Sequence, residues 1–363
     1  MGLKGLKNVL SALSAFFITL AISAPAFSQA LPTLEAQKIL ENPRQPIDVT
    51  RPEDLFLISQ QFELMRSTLR LTISDERHLP LMRHHGVETE YVALLIHGLY
   101  GSPHHMKYIQ EQFYSRGINT VSWLLPGHYQ KNYTDLDKVT YQQWIQSSRN
   151  GLKWAQKLGK KVILVGFSTG SMIETIFASE PENKIAGIFM YAPALKIHAA
   201  SFVAAHIGDM LNVIGNDFAF GQPNGKNISY YSPQAAIQLE SMAKNFKSKF
   251  SNYKHLKMPI MVSAFNNDFT IDGGEVEKLV AQAPNVTSNL RIPLGARAPL
   301  WIFSTFELPK EFDLTPNKML NHGIMPGLDW NSAWKNTKTG QVQSVGHAME
   351  NWLGAVARYS ANF

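Results

Sequence analysis

Short apolar runs with little polar alternation recur along the chain, and each ends at small or polar residues. They cover residues 91–96, 118–125, 161–165, 185–191, 260–265 and 299–304. Strands that are buried on both faces have this pattern, so we predict a strand at each run.

Between these runs, apolar residues recur at helical spacing. The clearest segments are 55–69, 106–113, 141–158, 173–177, 233–246 and 349–356. Strands that alternate with helices in this way predict an α/β fold, with a mostly parallel central sheet covered by helices on both faces. Catalytic groups in such folds lie on loops at the carboxyl ends of the strands. Residues 196–257 do not follow this alternation of strands and helices, and we interpret them as a lid insertion above the carboxyl ends of the strands.

The first thirty residues have the order of a secretory signal peptide. Lys4 and Lys7 precede an apolar stretch from Val9 to Ile22, and small residues follow, so cleavage is expected after Ser28 or Ala30. The stretch is shorter than the roughly 20 residues of a spanning helix. We therefore expect a signal peptide at 1–30, an N-terminal extension at 31–87, a main α/β domain at 88–363, and a periplasmic or secreted protein.

Composition narrows the function classes. The chain has 363 residues, of which 45% are hydrophobic, so it can bury a large core and is not expected to be disordered. It has no cysteine, which excludes disulfides, thiolate zinc sites and a cysteine nucleophile. The net charge of +6 is mild, and no arginine-rich run or stacking motif indicates a nucleic-acid partner.

Two groups of polar residues have alternative interpretations. The histidines at 84, 85, 104, 105 and 128 lie in separate segments without carboxylates at ligand spacing, so we expect no metal and no cofactor. His104 and His105 follow the loop after residue 96 and would line a nearby pocket. The lysines at 244, 247, 249, 254 and 257 are typical of a solvated helix face. The alternative is peripheral contact with an anionic membrane.

The strongest chemical signal is the Gly-x-Ser-x-Gly motif at residues 166–170. It follows a predicted buried strand and opens a predicted helix, which is the context of a nucleophile elbow. The tight turn would hold the Ser168 hydroxyl at the top of the sheet. The peptide N–H of Thr169 would then point to a developing oxyanion. The alternative is a serine that only caps the helix.

A second loop follows the strand at 91–96 and begins with His97-Gly98. It can supply a second oxyanion donor, for which the N–H of Leu99 is the best candidate. We expect His97 to brace this loop rather than to act as the base.

Together with Pro126-Gly127-His128, these two motifs resemble the α/β-hydrolase superfamily. The likeness covers about residues 88–325 and is greatest to bacterial carboxylesterases and to hydrolases of the monoacylglycerol-lipase or serine-aminopeptidase type. It implies a Ser–Asp–His triad in that chain order and an oxyanion hole at Leu99 and Thr169.

Two aspartates compete for the role of the triad acid. Asp268 lies three residues after the strand at 260–265, where a carboxylate can orient an imidazole. Asp272 precedes Gly-Gly-Glu275 and a helix, a pattern typical of a helix cap. We therefore favour Asp268.

Only His322 and His347 follow Asp268, at separations of 54 and 79 residues. Related chains have a shorter gap, so His322 implies the smaller insertion. His322 also follows the predicted strand at 299–304. We favour His322 as the base, and His347, which directly precedes the C-terminal helix, stays the alternative.

These residues predict an exported serine hydrolase that cleaves carboxylic esters, among them lipid esters, through an acyl-enzyme. The partner is a small-molecule ester or lipid. A peptidase or amidase on the same triad, and a non-catalytic binding protein with this fold, stay open.

Overall fold

The computed structural model describes residues 52–197, 220–221, 228–229, 232–265, 268, 270–292 and 333–361. The strands are β1 Leu81–Arg83, β2 Thr89–Ile96, β3 Asn119–Trp123, β4 Gly159–Phe167, β5 Ile185–Tyr191, β6 Phe220–Gly221, β7 Ile228–Ser229, β8 Ile260–Phe265, β9 Val286–Ile292, β10 Ala333–Asn336 and β11 Val342–Ser344. The helices are α1 Pro52–Leu69, α2 Lys107–Tyr114, α3 Tyr141–Ala155, α4 Thr169–Ala178, α5 Pro233–Lys249, α6 Gly273–Gln282 and α7 Val345–Ser360.

Nine strands form one sheet in the order β1-β3-β2-β4-β5-β8-β9-β10-β11. The six strands from β3 to β9 are parallel, whereas β1 and the β10–β11 hairpin pair antiparallel at the two edges. The prediction of a mostly parallel sheet is therefore confirmed. Because β2, β4, β5 and β8 are neighbours, the loops that follow them open at the same edge.

Helices cover both faces of the sheet. On one face, α2 and α7 pack together, since the Phe113 ring lies 6.3 Å from Trp352 and 6.1 Å from Phe189 of β5. On the other face lie α3, α4, α5 and α6. There, Gly151 of α3 lies against Trp123, and Lys247 of α5 pairs with Glu275 of α6.

The central strands are buried as their sequences predict. Every residue of β5 is buried, and the last five residues of β2 are inaccessible to solvent. Such burial on both faces explains why these strands lack polar alternation.

Strand β9 was not predicted, because its sequence is mostly polar. Asn289 is fully buried there, yet its backbone N–H donates to Asn336 Oδ1 at 3.0 Å and its side chain donates to Thr337 Oγ1 at 2.7 Å. The end of β10 and the turn after it thus bind polar groups of β9, and hydrophobic patterning cannot detect such contacts. The strand predicted at 299–304 lies outside the described residues.

Helix α5 covers the sheet rather than standing above the strand ends. Ala235, Leu239, Met242 and Phe246 are buried in the core, and Tyr141 N–H of α3 donates to Gln238 Oε1 at 3.0 Å. This part of the predicted insertion therefore belongs to the covering layer of helices. Residues 198–219, which would begin a lid, lie outside the described residues.

The N-terminal helix α1 packs beside α3. Its buried face includes Phe62, whose ring meets Trp154 edge-on at 5.3 Å. Its outer face exposes Phe56, Leu57 and Leu64. Strand β1 follows and joins the main sheet through β3. Among the described helices, none is both long and apolar enough to cross a bilayer.

Candidate active site

Ser168 lies at the turn between β4 and α4 in a conformation that side chains rarely adopt. Its backbone has φ 53° and ψ −110°. Two hydrogen bonds hold the backbone of Ser168 in this strained conformation. Ser168 N–H donates to Tyr191 O at 2.8 Å, and Ala194 N–H donates to Ser168 O at 3.2 Å. Backbone strain of this kind costs about 1–3 kcal/mol and concentrates at functional sites.

Two glycines make this turn possible. A Cβ at Gly170 would lie 2.0 Å from Ile96 O, and one at Gly166 would lie 2.5 Å from Ser171 N. The first helical turn of α4 therefore docks directly on the backbone at the end of β2. The Gly-x-Ser-x-Gly motif is thus required by close contact as well as by the turn.

The loop after β2 passes over Ser168 and brings the two predicted oxyanion residues together. A Cβ at Gly98 would lie 3.0 Å from Ser168 Cβ. Leu99 N–H donates to Thr169 Oγ1 at 3.1 Å. The peptide N–H of Thr169 is one of the first in α4, which have no acceptor within the helix.

His97 braces this loop, as the sequence analysis expected. Leu125 N–H donates to His97 Nε2 at 3.0 Å, so the ring proton is on Nδ1, which donates to Gly98 O at 2.7 Å. The ring is completely buried, and burial lowers the pKa of His97 well below its usual range. A neutral ring in this tautomer ties the loop to the end of β3 and leaves no nitrogen for base catalysis.

Two further histidines, His78 and His105, contact Ser102 at the end of the same loop. Ser102 N–H donates to His105 Nδ1 at 2.9 Å, and Ser102 Oγ lies 2.8 Å from His78 Nδ1. The His78 ring stacks on Tyr129 at 3.6 Å. Burial lowers the pKa of His78 to about 3, and it lowers the pKa of His128 to about 4. Within the described ranges no three such side chains form a group that could hold a metal ion.

Asp268 follows β8 and is buried, with 7% of its surface exposed. Its Oδ1 accepts Thr270 N–H at 2.8 Å and Ile271 N–H at 3.2 Å, which fixes the carboxylate. Strand β8 is two strands from β4, so the two strands lie about 10 Å apart in the sheet, and both end at the edge where Ser168 lies. Asp272, the rival, caps α6 by accepting Gly274 N–H at 2.9 Å and also pairs with Lys196.

Of the two candidate bases, His347 alone lies within the described residues. His322 lies outside the described residues. His347 is exposed in the first turn of α7, where its backbone N–H donates to Ser344 Oγ at 3.1 Å. Strand β11, which leads directly into α7, is five strands from β4, or about 24 Å across the sheet. The structure thus places His347 next to the edge strand.

Sequence reasoning missed one ionisable residue beneath the elbow. Glu174 of α4 is completely buried, and neither carboxyl oxygen has a hydrogen-bond partner among the described residues. A Cβ at Gly166 would lie 2.6 Å from its Cδ. Burial raises the pKa of Glu174 well above its usual range, which favours the protonated carboxyl. Its place on the buried face of an otherwise apolar helix was the signal available in the sequence.

Part of the chain is similar in sequence to known proteins. Residues 88–257 match the family model described as serine aminopeptidase, S33. The chain is 25% identical over 190 residues to a thermostable monoacylglycerol lipase of Bacillus sp. (strain H-257), covering 51% of this chain and 73% of that protein.

Solved structures show weaker likenesses. A soluble variant of the monoglyceride lipase of Saccharomyces cerevisiae is 16% identical, with a TM-score of 0.47, covering 63% of this chain and 87% of that one. The monoacylglycerol lipase of Paleococcus ferrophilus is 14% identical, with a TM-score of 0.44, covering 59% of this chain and 88% of that one. The strand order and the elbow show that the chain has the α/β-hydrolase fold, and residues 88–257 are similar to the serine aminopeptidase family.

Proposed function

We propose that this protein is a serine hydrolase that cleaves carboxylic esters, with monoacylglycerols as the substrate class to test first. The observation that carries the proposal is the strained Ser168 beneath a loop whose Leu99 N–H reaches Thr169. A nucleophile beside two backbone donors is the arrangement that acyl transfer needs. The similarity to a monoacylglycerol lipase supports the choice of substrate.

The mechanism follows from these roles. An imidazole, for which His322 is our candidate, takes the proton of Ser168 as the hydroxyl oxygen attacks the ester carbonyl. The carbonyl electron pair moves onto its oxygen, which the N–H groups of Leu99 and Thr169 stabilise. Asp268 orients the imidazole, which then protonates the leaving alcohol. Water releases the acid from the acyl-enzyme by the same steps.

The test is labelling with a fluorophosphonate, followed by intact mass, beside turnover of a monoacylglycerol and a p-nitrophenyl ester. We expect one adduct on the wild type, and its loss in Ser168→Ala and His322→Ala. His347→Ala is the matched control, which should keep the adduct. Loss in His347→Ala alone would replace His322 with His347 as the base. A folded wild type with neither adduct nor ester turnover would overturn the proposal.

A peptidase or amidase is the second candidate, because the matching family model is described as a serine aminopeptidase. An amide needs stronger protonation of its leaving amine than an ester does. Turnover of aminoacyl p-nitroanilides, measured on the same samples, separates the two. Amide turnover that exceeds ester turnover in kcat/KM would replace the ester proposal.

Export is part of the proposal and rests on residues 1–30. We expect the protein in the periplasm or the medium, with a mature N-terminus at Gln29 or Leu31. Cell fractionation and N-terminal sequencing test this. An intact Met1 in the cytoplasmic fraction would refute it.

Peripheral binding to an anionic membrane is the remaining part. Two of the five lysines, Lys244 and Lys247, form ion pairs with Glu240 and Glu275, so the attraction depends on the other three. We expect salt-sensitive cosedimentation with phosphatidylglycerol vesicles and none with phosphatidylcholine vesicles. Equal recovery with both would refute it.

A further inference from the structure

The side chain of Thr169 occupies an unusual position in the proposed oxyanion hole. Leu99 N–H donates to Thr169 Oγ1 at 3.1 Å, and the threonine is completely buried. The N–H that would stabilise an oxyanion is thus already directed at a hydroxyl. That hydroxyl belongs to the residue directly after the nucleophile.

A hydroxyl that accepts one hydrogen bond still has its own proton to donate. Within the described residues, Thr169 Oγ1 accepts from Leu99 and makes no other hydrogen bond. Two other buried hydroxyls of the same helix donate to backbone carbonyls. Ser171 Oγ donates to Gly166 O at 2.7 Å, and Thr175 Oγ1 donates to Ser171 O at 2.8 Å. The Thr169 proton is therefore available for a further acceptor beside the nucleophile.

We infer that the Thr169 hydroxyl donates directly to the oxyanion, beside the N–H of Thr169, and that Leu99 N–H acts on the oxyanion through this hydroxyl. This inference rests on the proposed ester hydrolysis. Leu99 N–H donates to Oγ1, and Oγ1–H donates to the carbonyl oxygen as its negative charge develops. Donation from Leu99 polarises the hydroxyl, because hydrogen bonds in a chain strengthen one another. The hydroxyl keeps its proton throughout, and the proton of Ser168 goes to the imidazole.

The contact between Leu99 N–H and Thr169 Oγ1 has a competing interpretation, which predicts the opposite change in rate when the hydroxyl is removed. If the hydroxyl only occupies Leu99 N–H, it blocks the oxyanion hole and must turn away before each reaction. Removing it would then raise the rate. A third interpretation is packing alone, in which only the volume of the side chain matters.

Three variants separate these interpretations. Thr169→Val keeps the shape and removes the hydroxyl, whereas Thr169→Ser keeps the hydroxyl and removes a methyl group. Thr175→Val is the matched control, because it removes another buried hydroxyl of α4 that is directed away from the proposed hole. Thermal unfolding checks that each variant is folded.

The measurements are kcat and KM for a p-nitrophenyl ester and the inhibition constant of a trifluoromethyl ketone, whose adduct carries an oxyanion. For Thr169→Val we expect a fall in kcat of about 100-fold, a KM within about threefold, and a ketone affinity weakened in parallel with kcat. Thr169→Ser should keep kcat within about threefold of the wild type, and Thr175→Val should leave both constants unchanged.

Each other outcome overturns the inference. Unchanged or raised kcat in Thr169→Val excludes a donating hydroxyl, and a loss of kcat in Thr169→Ser alone indicates packing. Equal losses in the two variants would show that the hydroxyl does not maintain the rate. If these occur in an active wild type, the inference fails and the proposed function stands. A wild type without ester turnover refutes both together.

Discussion

Acid should destabilise this protein well before its carboxylates are protonated, because its buried histidines are held neutral. His78, His97, His105 and His128 have lowered pKa values, in each case chiefly through burial. In the unfolded chain a histidine has a pKa of about 6.5. Below that pH the unfolded chain binds more protons than the native one, so the free energy of unfolding falls as the pH falls.

The size of this loss of stability follows from the pKa values of two of these histidines. The pKa of His78 is about 3 and that of His128 about 4, so both rings stay neutral at pH 5 in the native state. Between pH 7 and pH 5 each ring then costs about 2 kcal/mol by linkage, or about 4 kcal/mol for the pair. Total stabilities are about 5–15 kcal/mol, so this loss is large. His97 and His105 act in the same direction, whereas Glu174 opposes it, because its raised pKa favours the native state in acid.

Urea unfolding at pH 7 and pH 5, at equal ionic strength, measures the effect. In His128→Asn the amide replaces the ring as donor to Pro126 O, which His128 Nδ1 contacts at 3.1 Å, and it does not titrate. We expect the loss between the two pH values to be about 2 kcal/mol smaller than in the wild type. His347→Asn, at an exposed position, is the control and should keep the wild-type loss. An equal loss in His128→Asn and the wild type would refute the reasoning.

Three further predictions concern the elbow. Glu174→Gln should lose less stability than the wild type as the pH rises above the usual pKa of a glutamate, because its raised pKa in the native state makes ionisation of the unfolded chain favour unfolding. Urea unfolding of both proteins over this range checks this, and the same pH dependence in both would contradict it. Ser168→Gly should raise the free energy of unfolding by about 1–2 kcal/mol by relieving the strain at φ 53°, and an unchanged value would show that the turn is not strained. Gly170→Ala should lower the free energy of unfolding by at least about 3 kcal/mol or prevent folding, since its Cβ would lie 2.0 Å from Ile96 O. Gly354→Ala is the control and should not destabilise the protein, because its Cβ meets only Arg358, at 3.5 Å. Thermal unfolding compares the two variants.

The parallel centre of the sheet could be predicted because burial there depends on apolar residues alone. The predicted runs at 185–191 and 260–265 coincide with β5 and β8. The elbow could also be predicted, since its two glycines are required by backbone contacts that only one residue type permits. Requirements of this kind act within one segment and can therefore be recognised in its sequence.

The features that could not be predicted from the sequence depend on contacts between segments that are distant in the chain. Strand β9 is stabilised by polar contacts with the turn after β10, almost fifty residues later. The burial of Glu174 depends on how α4 packs on the sheet, which a helical pattern does not specify. The contact between Leu99 and Thr169 joins residues 70 positions apart. Patterns within one segment contain no information about such pairs.

The way α7 completes the domain has a consequence for biosynthesis. Tyr91, at the start of β2, bonds Ser360 of α7 through their hydroxyls at 2.9 Å, across 269 positions of the chain. Trp352 and Val356 of the same helix fill the space left by Gly187 in β5. At about 5–20 residues per second, a ribosome reaches Ser360 roughly 15–50 s after Tyr91. For that time the face of β5 that packs against Trp352 and Val356 lacks this helix, so we expect the domain to complete its fold only after α7 has been made.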